Sequence, residues 1–104
     1  MTYRLSDKQL SELVLLISVQ KITELFPRYT PAERTIYRRL AKHGIIRPLK
    51  AQQEFRRELL LAAPPNLTDK DAEILIETKI QAMLEELCAS IEAEAKVYQE
   101  RFDR

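Results

Sequence analysis

The chain has 104 residues with a formal net charge of +1, 45% hydrophobic residues, one Gly, one Cys and one His. That length suits one domain, and that apolar content is too high for an intrinsically disordered chain. Scarce Gly argues against tight hairpins and phosphate-cradling loops, and a single Cys with a single His excludes a disulfide framework or a zinc site built from this chain alone.

The first helix opens at Ser6. Ser6 with Gln9 forms a capping-box pattern, in which the Ser hydroxyl and the Gln amide satisfy each other's free backbone N–H groups. Leu10, Leu13, Val14, Ile17, Lys21 and Leu25 follow at helical spacing until Pro27 stops the run. Residues 7–26 read either as one unbroken helix or as two.

A second helix is expected from Thr30, Pro31 and Glu33, standing at N-cap, N1 and N3, to about His43. Gly44 ends it in the left-handed conformation, and Ile45 and Ile46 can fold back. Arg47-Pro48 opens a third helix to about Ala63, with Leu49, Phe55, Leu59, Leu60 and Ala63 as candidates for its inner face. Pro64-Pro65 is a stiff linker. Thr68 with Asp71 then caps a fourth helix, and Asp69 favours its positive end. Nothing breaks this helix before about Phe102, so its ~34 residues span ~50 Å.

Charge divides the chain more sharply than its total suggests. Residues 1–57 carry +7 and residues 58–104 carry −6. This divides it into a basic helical module over 1–63 and a long acidic helix over 64–104. Leu84, Cys88, Ile91, Ala95, Tyr98 and Phe102 step by 4, 3, 4, 3 and 4, a heptad-type seam. Ile76, Ile80, Met83 and Leu87 extend it upstream. Pairing between copies through Ile76, Ile80, Leu84, Leu87, Ile91, Tyr98 and Phe102 is one reading; packing along the chain's own helices is the other.

The basic second helix is the sharpest functional feature. On a wheel of ~100° per residue, Ala32, Ile36, Leu40 and His43 share one face and Thr35, Arg38, Arg39 and Lys42 another, with Arg34 beside Arg38. Arg can fork onto guanine or clamp a phosphate, and Lys supplies a point charge. A helix entering a DNA major groove needs such residues. Arg28, Arg47 and Lys50 would add phosphate contacts. The competing reading is a solvated helix face paired to the acidic last helix.

Arg34-Thr35-Ile36-Tyr37-Arg38-Arg39-Leu40-Ala41-Lys42-His43-Gly44 resembles the recognition helix of helix-turn-helix segments in phage small terminase subunits and in transposase- or resolvase-type domains. Ser18-Val19-Gln20-Lys21-Ile22-Thr23-Glu24-Leu25 is similar to their first motif helix, and Gln53-Glu54-Phe55-Arg56-Arg57-Glu58 to the stretch that follows. The link Phe26 to Pro31 is longer than the tight turn usual there. The resemblance implies double-stranded DNA as the partner and, in the terminase case, an oligomerising helical region after the DNA-binding part.

His43 is expected to cap or pack, and Cys88 to fill a seam. No spacing converges carboxylates, a nucleophile or metal ligands on one face, so neither an enzyme nor a cofactor is expected. The N-terminus lacks a basic region followed by a long apolar run, and no stretch approaches the ~20 apolar residues of a membrane span; a soluble cytoplasmic protein is expected. The resulting expectation is an all-α, four-helix, oligomeric DNA-binding protein. A helical protein-interaction adaptor or assembly factor without nucleic-acid binding is the alternative.

Overall fold

The computed structural model describes residues 3–102, with the side chain of Phe102 left out. The chain is all-α, with five helices among the described residues: α1 (Asp7–Val14), α2 (Val19–Leu25), α3 (Glu33–Lys42), α4 (Pro48–Leu61) and α5 (Asp69–Phe102). Its extents are 56 × 27 × 19 Å, and the long dimension matches the ~50 Å expected of a 34-residue helix.

Of the two readings of residues 7–26, the structure takes the second, two helices, so the described residues hold five helices where four were expected. The capping box at Ser6 forms as read, with Ser6 Oγ accepting from Gln9 N at 3.1 Å and Gln9 Oε1 accepting from Ser6 N at 2.8 Å. The break falls at Leu15–Ser18. Leu16 N and Ile17 N both donate to Leu13 O, which tightens the end of α1. Ser18 then caps α2 by accepting from Lys21 N at 3.1 Å. The carbonyl of Ile17 is satisfied from outside, by Gln52 Nε2 of α4 at 2.8 Å. Breaking here turns Leu16 toward Ile76 and Ile80, while Leu13, Val14 and Val19 stay in the main core.

That main core gathers Leu5, Leu10, Leu13, Val14, Val19, Ile22, Phe26, Ile36, Leu40 and Ile91. Helices α1, α2 and α3 all contribute to it and pack pairwise. A second cluster holds Leu16, Ile76 and Ile80, with Phe55 and Leu59 packed against it. The boundary at 63/64 therefore marks a linker, not a division of the core, because Ile91 of α5 is buried among residues of α1 to α3.

The start of α3 differs from expectation. Its N-cap is Ala32, without a side-chain cap. Thr30 Oγ1 instead donates to Phe26 O at 2.8 Å, closing the turn after α2, so the helix begins two residues later. Its end is as read. Gly44 has φ +83°, with Ile45 N donating to Leu40 O at 3.0 Å and Gly44 N to Ala41 O at 3.1 Å. This is the paired bonding of a Schellman motif. Ile45 folds onto the core, but Ile46 stays 77% exposed.

Helix α4 starts with Pro48 in its first turn, as expected, and buries no residue fully. Phe55 and Leu59 face inward. Leu49, at 67% exposure, and Leu60, at 50%, do not, because α4 lies against the rest of the chain along one narrow edge. Thr68 Oγ1 accepts from Asp71 N at 3.1 Å, confirming the cap of α5. No described helix is long and apolar enough to cross a membrane.

Candidate nucleic-acid interface

Helix α3 is held by its apolar side. Ile36 and Leu40 are buried, which turns Arg34, Arg38 and Ala41 outward at ~100° per residue, with Tyr37 and Lys42 on the two flanks. Arg34, Arg38 and Lys42 are exposed, and Tyr37 is 47% exposed. The ridge from Arg34 to Lys42 is ~12 Å long at 1.5 Å per residue. Thr35 is half-buried on the ridge's shoulder.

Arg39, expected beside Arg38 and Lys42 in the cationic row, is engaged within the chain. Its Nε donates to Asp7 Oδ1 at 2.5 Å and its Nη2 donates to Leu5 O at 2.8 Å. His43 is also displaced from the expected apolar face: it is exposed, and its Nε2 donates to Asp7 Oδ2 at 2.9 Å. One carboxylate at the first turn of α1 thus ties two cationic side chains of α3. The hydrogen bond from His43, followed by that from Arg39, holds the Asp7 carboxyl below its ordinary value of 3.8. Both contacts tether α3 to the first turn of α1.

The acidic helix does not neutralise the ridge. Among the described residues the ion pairs are Arg39–Asp7, His43–Asp7 and Arg56–Glu77, and none involves Arg34, Arg38 or Lys42. On α5, Glu94 Oε2 accepts from Tyr3 Oη at 2.9 Å and from Gln9 Nε2 at 2.8 Å. This network satisfies Gln9, the one buried polar residue among those described, and pins the N-terminal segment to α5.

Arg28 is exposed in the turn between α2 and α3. Arg47 and Lys50 are exposed and line a shallow cleft with Gly44, Ile45 and Glu54 where α3 passes into α4. Basic groups therefore stand at both ends of α3 as well as along it. The sequence reading missed Asp7, whose place in the first turn of a capped helix has a sufficient local explanation.

The seam residues of α5 face their own chain. Ile91 is 0% exposed, and Ile76 and Ile80 are buried. Leu84 and Leu87 pack against both clusters. The Tyr98 ring meets that of Tyr3 edge-on, with centroids 5.6 Å apart. Ile76, Ile80, Leu84, Leu87, Ile91 and Tyr98 thus make contacts within their own chain, as the second reading of the seam has it. Phe102, the last of that seam, has its side chain outside the described residues.

No group of His, Cys, Asp and Glu among the described residues could hold a metal ion. No family model, curated protein or solved structure matches this chain.

Proposed function

We propose that the protein binds double-stranded DNA through α3, in the manner of a helix-turn-helix protein, and acts as an oligomer. The observation that carries this reading is the outward ridge of Arg34, Arg38 and Lys42, which meets no carboxylate among the described residues. Such a row satisfies the two needs of groove recognition, guanidinium forks for base edges or phosphates and a helix narrow enough to enter. Helices α1 and α2 support it as the other members of a three-helix unit. In this reading Arg28, Arg47 and Lys50 contact phosphates on either side, Thr35 leaves room for close approach, and Arg39 sets the tilt of α3 through Asp7.

Because neutralised phosphates release counterions, affinity falls steeply with salt. The test is fluorescence anisotropy of a labelled duplex titrated with the protein from 50 mM salt upward. Binding that weakens linearly on a log–log plot supports the proposal. Absence of binding at 50 mM salt refutes it.

A second reading, a helical adaptor that docks on another protein, is favoured by α4. That helix buries no residue, and Ile46, Leu49 and Leu61 stand 77%, 67% and 79% exposed. Exposed apolar area of this kind marks interaction surfaces. The same surface serves self-association in the first reading, since the α5 seam is occupied internally.

A further inference from the structure

We infer that the N-terminal segment is part of the nucleic-acid surface, with Arg4 joining Arg28 as a phosphate-binding pair at the entrance to α3. The inference rests on the DNA-binding reading above and adds a residue to it. Two hydrogen bonds to the Leu5 backbone place the segment. Leu5 N donates to Tyr29 O at 3.0 Å, so residues 3–5 run alongside the turn that carries Arg28. Leu5 O accepts from Arg39 Nη2 at 2.8 Å, so the same peptide also touches α3.

The surroundings of each residue give the side-chain directions. Leu5 points into the core, Tyr3 packs against Tyr29 and Tyr98, and Arg4 between them is exposed. Arg4 is therefore directed away from the core that receives Leu5. Arg28 is likewise exposed next to Tyr29.

The local charge leaves both guanidinium groups available. Asp7, the nearest acid along the chain, is held by Arg39 and His43, and Glu94 is held by Tyr3 and Gln9. Glu33, exposed in the first turn of α3, is paired with neither arginine. Two unpaired guanidinium groups flanking a groove-reading helix fit the phosphate backbone beside the groove, where Arg bonds two oxygens at once.

The experiment compares wild type, R4A, R4K and K70A for binding to one labelled duplex across a salt series, with helicity checked by circular dichroism. Lys70 is exposed on α5 and controls for loss of net charge. R4A is expected to weaken binding about 3- to 10-fold and to reduce the salt slope by about one contact, R4K to keep the wild-type slope with a smaller loss of affinity than R4A, and K70A to stay within about 2-fold of wild type. If R4A binds with wild-type affinity and slope, or if K70A weakens binding as much as R4A, this inference is overturned while the α3 assignment stands. If the wild-type protein binds no duplex at low salt, both fall together.

Discussion

Replacing Ile91 with alanine separates two views of the long helix. Ile91 is 0% exposed and sits in the main core with Leu10, Ile22 and Ile36. Truncating a fully buried aliphatic side chain to Ala costs 2–5 kcal/mol, the spread reflecting how far the cavity collapses. A central value of ~3 kcal/mol is a large share of the ~5–15 kcal/mol that stabilises a domain. At ~4–8 °C per kcal/mol for a domain of this size, Tm falls by roughly 12–24 °C. Thermal unfolding followed by circular dichroism measures it. The contact is within one chain, so the loss should be the same at low and high protein concentration. Val97→Ala, at a half-exposed position of the same helix, should change stability by less than about 0.5 kcal/mol. A small loss for Ile91→Ala, or a loss that grows on dilution, would refute the intramolecular packing of α5 and restore the seam to an interface between copies.

Three further outcomes follow from individual residues. Gly44→Ala places a side chain at φ +83°, where its Cβ meets nothing within 4 Å; the cost is backbone strain alone, about 1–2 kcal/mol by chemical denaturation. Asp7 has a lowered carboxyl pKa in the folded state, so its contribution is complete above its ordinary 3.8 and is lost as pH falls through the lower folded value. Asp7→Asn should therefore flatten the acid limb of a stability-against-pH curve, and an unchanged limb would contradict the His43–Asp7–Arg39 arrangement. Burial, then the nearby Glu92, pushes the Cys88 thiol up, so alkylation near neutral pH should be slow in the folded protein and fast in denaturant.

Much of this fold is legible in the sequence because its boundaries are marked by residues with local physical roles. Ser6 with Gln9, Gly44, Pro48 and Thr68 each act through their own backbone or the next turn, so tertiary context does not overrule them. The break at Leu15–Ser18 carries no Gly or Pro; it is made by tertiary demand on Leu16 and by Gln52 reaching Ile17 from α4. Ser18 is its single local sign. The α5 seam shows the limit of periodicity, since a helix packed on its own chain and a helix packed on a copy repeat alike. For α3, the wheel separates apolar from charged residues, but it cannot tell which flank meets Asp7. The contact of Arg39 with Asp7 and Leu5 therefore goes unseen in the sequence.

The decisive measurement matches charge while changing position. Arg34→Ala with Arg38→Ala removes two cations from the outward ridge of α3, and Lys70→Ala with Lys79→Ala removes two exposed cations from α5. Affinity for a labelled duplex at fixed salt should fall about 100-fold for the first pair and stay within about 2-fold for the second. Equal losses for the two pairs, or wild-type affinity in the α3 variant, would contradict the assignment of α3 as the DNA-binding element.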